Sequence, residues 1–119
     1  MKLLERNYLT KIIHVIGTPD IKVITGIRRS GKSCLLLQFM EYINQTDKDA
    51  NIIFVDFNSL SAEPYLEYHA LNNYIEGQYK SNKNNYVCID EVQMCSGFEK
   101  AINSLHSSMK YDIYITDSN

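Results

Sequence analysis

One segment restricts the possible folds of this 119-residue chain more than any other. Residues 26–33 read Gly-Ile-Arg-Arg-Ser-Gly-Lys-Ser and match the pattern G-x-x-x-x-G-K-[S/T] at every fixed position. A β-branched run at residues 21–25 precedes the segment, and a helix-like run from Lys32 onward follows it. A loop between a strand and a helix presents backbone N–H groups and the positive end of the helix dipole to a phosphate. The sequence therefore predicts a phosphate-binding loop, the P-loop or Walker A motif.

The side chains of this loop suit a nucleotide bound together with a metal ion. Glycine tolerates the backbone conformations and the close approach that a phosphate chain requires. Lys32 is placed to reach the β and γ phosphates, and Ser33 offers a hydroxyl to Mg²⁺. The predicted nucleotide contacts in this segment are Gly26, Arg29, Ser30, Gly31, Lys32, Ser33 and Cys34.

A second motif lies where the apolar run at residues 86–89 ends in Asp90 and Glu91. A carboxylate at the carboxyl end of a strand near a P-loop can hold Mg²⁺, usually through water, so Ser33 and Asp90 form the predicted metal site. Glu91 is predicted to polarise a water molecule for attack on the γ-phosphorus, as a general base or a water-orienting group. Lys32 and Glu91 are therefore the predicted catalytic residues.

Three polar residues near these motifs can each be interpreted in two ways. Arg28 and Arg29 either touch phosphate or ribose, or point outward to a partner or an acidic neighbour. Gln93 is either a polar sensor of the γ-phosphate or a residue at the start of a helix.

Along the rest of the chain, short β-branched runs alternate with longer stretches of helical periodicity. The predicted strands are residues 21–25, 52–57, 86–89 and 111–116, and the predicted helices are residues 3–16, 32–43, 62–79 and 98–109. Strands that alternate with helices indicate an α/β fold with a mostly parallel sheet covered on both faces. The polar segment at residues 80–85 is predicted to be an exposed connection.

Composition and charge exclude several other classes of protein. Hydrophobic residues make up 45% of the chain and charged residues 22%, which is typical of a globular domain with one modest core. The net charge of -2 indicates no general attraction to nucleic acid. The apolar runs are far shorter than the roughly 20 residues that span a bilayer. Charged residues interrupt the N-terminal segment, so we expect no signal peptide and no membrane partner. We therefore expect a cytoplasmic location.

The cysteines and histidines give no sign of a disulfide or a zinc site. The three cysteines are odd in number and form no C-x-x-C pair, and the three histidines are scattered without companion ligands. Cys34 and Cys88 lie in apolar surroundings and are predicted to be small core residues.

Four segments together resemble a group of prokaryotic AAA-type ATPases. They are residues 24–33, residues 98–102, residues 114–119 and the stretch Ile89-Asp90-Glu91-Val92-Gln93, whose Asp-Glu pair corresponds to the Walker B motif. In that group a lid and a C-terminal domain of unknown function follow the nucleotide domain. The resemblance implies a three-layer P-loop NTPase fold of the additional-strand type, with the last strand inserted between the P-loop strand and the Asp90 strand. It also implies ATP as the nucleotide.

The tip of the last strand both matches this group and departs from it. The resemblance places the polar sensor of the γ-phosphate at Ser118 and Asn119, so Asn119 joins the predicted nucleotide contacts. The group usually has Thr-Gly-Ser where this chain has Thr116-Asp117-Ser118. An aspartate near the γ-phosphate repels it unless the side chain turns away.

A second departure is that the chain stops at Asn119, where the group continues with a fifth strand, a lid and an arginine finger. We therefore expect residues 1–119 to be the N-terminal part of a single AAA-type ATPase domain, truncated after the fourth strand. It would consist of a leading helix at residues 1–17 and a P-loop core at residues 21–119. An arginine finger contributes about 10³ to 10⁵ in rate, so we expect weak hydrolysis or none from this chain.

Three functions fit these observations. The first is Mg²⁺-dependent binding and hydrolysis of ATP, the second a nucleotide-binding module without turnover, and the third an interaction fragment with a vestigial P-loop. An exposed strand edge favours self-association, so a homo-oligomer is a possible partner state. In known P-loop families, nucleotide kinases put the acceptor substrate where the water would lie and do not need this glutamate, whereas hydrolases of the additional-strand type commonly have it. The pair Asp90-Glu91 therefore favours the first function.

Overall fold

A computed structural model describes residues 3–25 and 30–118, which form four helices, four strands and two short 3₁₀ turns. In chain order these are α1 (Leu3–His14), β1 (Lys22–Ile24), α2 (Ser30–Thr46), β2 (Ala50–Asp56), a 3₁₀ turn (Leu60–Tyr65), α3 (Tyr68–Gln78), β3 (Asn84–Asp90), a second 3₁₀ turn (Val92–Met94), α4 (Phe98–Ser107) and β4 (Tyr111–Thr116). Within those ranges, none of the helices combines the length and the apolar character needed to span a membrane.

The four strands form one sheet in the order β1-β4-β3-β2, and every neighbouring pair is parallel. The last strand therefore lies between the P-loop strand and the strand that ends in Asp90, which confirms the predicted additional-strand fold. The register pairs Ile24 with Thr116 and Asp56 with Asp90. Because parallel strands end at the same edge of a sheet, the residues that follow β1, β2, β3 and β4 meet at one edge.

Helices cover both faces of this sheet. On one face α1 and α2 pack against alternate strand residues, with Phe39 in contact with Tyr114 and Cys88 beside them. On the other face α3 and α4 pack against the residues between, such as Val87 and Ile89. Side chains alternate between the two faces of a strand, so a run that is apolar throughout is buried on both sides. The structure thus confirms the predicted three-layer α/β architecture.

One predicted helix is divided in two. The sequence indicates a helix over residues 62–79, but the structure has a 3₁₀ turn that contains Pro64 and then α3 from Tyr68. Glu67 separates them because it adopts an extended backbone and its carboxylate accepts a hydrogen bond from the N–H of Ala70, which caps α3. Leu66, which lies between the 3₁₀ turn and α3, is 42% exposed.

One further prediction about burial holds only in part, and another is wrong. The segment 80–85 is not wholly an exposed connection, since β3 begins at Asn84 and Asn85 is only 5% exposed. The Asn85 side chain donates to the carbonyl oxygens of Lys80 and Lys83 and accepts from the N–H of Lys80, so it holds the connection closed. Cys34 is exposed on the outer side of α2, whereas Cys88 is buried in the core as predicted, and burial raises the pKa of its thiol.

Gly97 occupies a position that only glycine suits. Its φ of +72° is in the left-handed region, and a Cβ atom added there would lie 2.5 Å from Cδ1 of Tyr68. Gly97 precedes α4 and Tyr68 begins α3, so the absence of a side chain at Gly97 lets the first turns of the two helices lie close together.

We expect Gly97→Ala to lower the free energy of unfolding by at least about 2 kcal/mol. The left-handed backbone costs a non-glycine residue roughly 1–2 kcal/mol, and displacing the Tyr68 ring adds to this. Urea denaturation followed by circular dichroism measures the change. Gly77→Ala is the matched control, because a Cβ atom there meets nothing within 4 Å and Gly77 lies in α3. The control should be neutral or stabilising by up to about 1 kcal/mol, and an equal loss in both variants would contradict the argument.

Candidate functional site

The carboxyl edge of the sheet meets the first turn of α2. This helix begins at Ser30, so the N–H groups of Ser30, Gly31, Lys32 and Ser33 have no acceptor within the helix. Such a turn carries a partial positive charge and attracts anions. Asp90, the last residue of β3, and Ser118, just beyond β4, lie next to this turn, as the side-chain hydrogen bonds of Ser33 and Lys32 show.

Lys32 and Glu91 are joined through a single serine hydroxyl. The Lys32 side chain is buried, 4% exposed, and its Nζ donates to Oγ of Ser118 over 2.7 Å. Ser118 Oγ in turn lies 2.5 Å from Oε1 and 2.8 Å from Oε2 of Glu91, to which it donates. A hydroxyl has one proton and two lone pairs, so it can accept from the ammonium while it donates to the carboxylate. The two predicted catalytic residues therefore meet at the residue that the resemblance marked as a phosphate sensor.

Asp90 is the most heavily hydrogen-bonded acid of the site. It is 3% exposed, and its Oδ2 accepts from Ser33 Oγ at 2.5 Å and from Asn58 Nδ2 at 3.2 Å. Its Oδ1 accepts from Thr116 Oγ1 at 2.6 Å. A buried carboxylate is costly unless donors surround it, and here three elements supply them.

The Ser33 hydroxyl and the Asp90 carboxylate have the chemistry of a Mg²⁺ site. Both present oxygen, which Mg²⁺ prefers, and Mg²⁺ commonly takes only one or two protein ligands while phosphate and water complete its octahedron. No group of three or more His, Cys, Asp or Glu residues within 3–25 and 30–118 could hold a metal ion. The donor set therefore fits a metal bound together with phosphate, and does not form a closed protein cage.

Glu91 has an unusual backbone conformation. Its φ and ψ are 57° and 56°, in the left-handed region, which costs a non-glycine residue about 1 kcal/mol or more. The N–H of Glu91 donates to Oγ1 of Thr116 over 2.7 Å. This turn ends β3 and starts the 3₁₀ turn Val92–Met94, so it directs the Glu91 carboxylate to Ser118.

Two residues of this network have no role in the sequence analysis. Thr116 is the last residue of β4, and Asn58 lies just beyond the end of β2. Each is a polar residue at the carboxyl end of a strand, which is the signal that could have identified them, since such ends share one edge.

The remaining predicted contacts are placed as follows. Ser30 and Gly31 lie in the first turn of α2. Cys34 is exposed, and its Sγ accepts from Gln38 Nε2 over 3.4 Å. Gln93 lies in the 3₁₀ turn, with its Oε1 buried and unpaired among the residues that the structure describes. Predictions for Gly26, Arg28, Arg29 and Asn119 lie outside the described residues.

Comparison with known proteins identifies the family. The sequence profile described as AAA domain matches residues 18–119, which is most of the chain and begins just after α1. The chain belongs to the AAA domain family. It is thus an AAA-type, nucleotide-binding P-loop module.

One relative and one solved structure extend this comparison. The chain is 37% identical over 117 residues to an uncharacterized protein of Haemophilus influenzae, across 97% of this chain and 29% of that protein. The solved structure of C. elegans PCH-2 superposes with a TM-score of 0.60 and 13% identity, over 98% of this chain and 38% of that chain. The structural similarity shows a shared fold. This AAA chain spans less than a third of its curated relative and less than half of the solved structure.

We expect the contact between Lys32 and Ser118 to appear as a coupling energy. The ammonium is buried and needs an acceptor, so Ser118→Ala should lower the free energy of unfolding by about 1–3 kcal/mol in the wild-type background. In a Lys32→Met background the same change should cost much less, because no ammonium remains to be satisfied. Urea denaturation of the two single variants and the double variant measures the difference.

A second cycle controls for general effects of serine removal. Ser107→Ala removes a hydroxyl that donates to the carbonyl oxygen of Asn103 at the end of α4, away from Lys32. Its cost should be the same with Lys32 and with Met at position 32. A coupling between Lys32 and Ser118 no larger than that between Lys32 and Ser107 would contradict the proposed link.

Proposed function

We propose that this AAA module binds ATP with Mg²⁺ at the carboxyl edge of its sheet and supplies groups for its hydrolysis. The observation that carries the proposal is the convergence of Lys32, Ser33, Asp90 and Glu91 in one hydrogen-bonded network. A P-loop alone fits any phosphate-binding protein. Hydrolysis needs in addition a group for the metal and a group that positions the attacking water, and the adjacent acids Asp90 and Glu91 can supply these two groups.

Nucleotide binding would rest on α2 and Lys32. The N–H groups of the first turn have no acceptor within α2 and suit the phosphate oxygens, and the buried ammonium adds a full positive charge beside them. Lys32 would exchange Ser118 for a phosphate oxygen, a stronger acceptor because it is charged. The other proposed contacts are Gly26, Arg29, Ser30, Gly31, Ser33, Cys34 and Asn119.

The metal would be held by Ser33 and Asp90. Mg²⁺, when bound, neutralises charge on the phosphate oxygens and orients them for displacement. Asp90 keeps donors from Thr116 and Asn58 when Ser33 turns to the metal, so its carboxylate stays oriented.

Glu91 is the proposed base. Ser118 holds its carboxylate in the described arrangement, and a phosphate that draws Lys32 and Ser118 would leave that carboxylate able to accept a proton. The oxygen of a water molecule would bond to the γ-phosphorus as the bond from the γ-phosphorus to the β–γ bridging oxygen breaks. The water proton passes to Glu91, and ADP and phosphate leave.

The same hydrogen bond supports a second candidate, a nucleotide-binding module that does not turn over. The Ser118 hydroxyl lies within hydrogen-bond distance of both carboxylate oxygens of Glu91, so it competes with a water molecule for the proposed base. In this second candidate ATP binds and the contact between Ser118 and Glu91 stays in place. Assembly into a homo-oligomer and a cytoplasmic location stay predictions. The division into a leading helix at residues 1–17 and a core at residues 21–119 also stays a prediction.

We expect Lys32→Ala to weaken Mg²⁺-dependent ATP binding by about tenfold or more, because one charge-assisted hydrogen bond of 1.5–3 kcal/mol is lost. Isothermal titration calorimetry of ATP with excess Mg²⁺ measures it. Lys48→Ala is the control, since Lys48 is exposed and precedes β2 at the opposite edge of the sheet. Equal affinity in the two variants would overturn the binding site.

We expect Glu91→Gln to bind ATP as the wild type does and to release phosphate at least about a hundred times more slowly, because the amide cannot take a proton. A single-turnover assay, with protein in excess over ATP, detects slow hydrolysis. Glu99→Gln, an exposed change in the first turn of α4, is the control. Undiminished turnover in Glu91→Gln would exclude it as the base. A wild type that binds ATP without ever releasing phosphate would establish the second candidate.

A further inference from the structure

Thr116 lies at the centre of the network and contacts both acids. Its side chain is fully buried, its hydroxyl donates to Oδ1 of Asp90 over 2.6 Å, and the same oxygen accepts from the N–H of Glu91 over 2.7 Å. We propose that Thr116 is a positioning residue that orients Asp90 for the metal and Glu91 for water through this one hydroxyl. The inference rests on the proposed ATPase function and concerns a residue that acts through its contacts with Asp90 and Glu91.

The first consequence concerns Asp90. A carboxylate on a free side chain rotates about its terminal torsion, which has broad energy wells. Thr116 binds Oδ1 from one side, so Oδ2 is left to face Ser33, 2.5 Å away. Thr116 on Oδ1 and Asn58 on Oδ2 together fix the rotation of the carboxylate, and Oδ2 is the oxygen that lies beside Ser33, the other residue proposed to hold the metal. Second-layer donors of this kind typically contribute tenfold to a hundredfold in metal affinity.

The second consequence concerns Glu91. The ladder between β3 and β4 pairs residues as far as Ile89 and Ile115, and Glu91 lies beyond it. A backbone N–H that leaves a ladder needs another acceptor when it is shielded from water. The Thr116 hydroxyl supplies that acceptor and so stabilises the left-handed conformation that directs the Glu91 carboxylate to Ser118.

The third consequence concerns the P-loop strand. The backbone of Thr116 pairs with Ile24, the last residue of β1, while its side chain reaches across to β3. One residue therefore ties the strand that enters the P-loop to both acids. A β-branched side chain suits this work, because its second substituent on Cβ restricts χ1 and fixes the direction of the hydroxyl.

Two substitutions separate these roles from simple packing. Thr116→Val keeps the shape and removes both hydrogen bonds, whereas Thr116→Ser keeps the hydroxyl and removes the methyl group. The first measurement uses no nucleotide: amide hydrogen exchange of the ¹⁵N-labelled chain, followed by NMR. In Thr116→Val the Glu91 amide should exchange about tenfold faster or more, with the Ile89 amide as the internal reference. In Thr116→Ser the Glu91 amide should exchange at close to the wild-type rate.

The second measurement uses ATP as the probe, with and without Mg²⁺. Thr116→Val should lower the gain in ATP affinity that Mg²⁺ provides by about tenfold to a hundredfold, and should leave affinity in EDTA within about threefold of wild type. Thr116→Ser should restore most of the gain. A role confined to packing would instead change affinity equally with and without the metal.

The outcomes separate this inference from the function on which it rests. If the wild type shows no Mg²⁺-dependent ATP affinity, the proposed function fails, and the amide exchange alone still decides whether Thr116 holds Glu91. If the wild type shows Mg²⁺-dependent ATP affinity and Thr116→Val matches the wild type in both measurements, the positioning role is wrong. If Thr116→Val does not fold, Thr116→Ala replaces it, with the same expected losses and the same contradictory result.

Discussion

The site depends on the parallel pairing of β4 with β1 on one side and β3 on the other. This pairing brings three strand ends to one edge and sets Thr116 between Ile24 and the acid pair. Were β3 directly beside β1, no side chain would lie between the P-loop strand and Asp90. The inserted strand supplies the hydroxyls that join the acids to the rest of the site. Thr116 is the last residue of this strand, and Ser118 lies just beyond it.

Hydroxyl groups make the charges of this site compatible with burial. Lys32 and Asp90 are both almost fully buried, and an ion without hydrogen-bond partners in such a place is strongly destabilising. Ser33, Thr116 and Ser118 each supply a hydroxyl that donates or accepts as its rotation requires. A hydroxyl can exchange one partner for another at little cost, so a site built in this way can hold its charges before and after a nucleotide binds.

The sequence predicted much of the fold because its strongest patterns are local. Residues 86–89 and 113–116 are apolar or β-branched without interruption, and such runs form strands that are buried on both faces. The errors occur where a specific side-chain hydrogen bond to the backbone overrides the pattern of apolar and polar residues. Glu67 divides the predicted third helix because its backbone is extended and its carboxylate caps α3, and it pairs with Ser96. Asn85 is buried because its side chain forms hydrogen bonds with backbone groups of the connection between α3 and β3. The polar character of residues 80–85 alone does not predict this.

By itself, the sequence determined the residue types of the site: a lysine and a serine after a glycine loop, and two acids after an apolar run. Those assignments follow from chemistry that acts over a few neighbouring residues. Only the tertiary structure decided how these groups are joined, because Ser118 lies 86 residues from Lys32 and Thr116 lies 26 residues from Asp90. Hydrogen bonds across such separations exist only once strand order and register are set, and these result from packing both faces of the sheet. The roles of Thr116 and Asn58 therefore became visible in the folded chain alone.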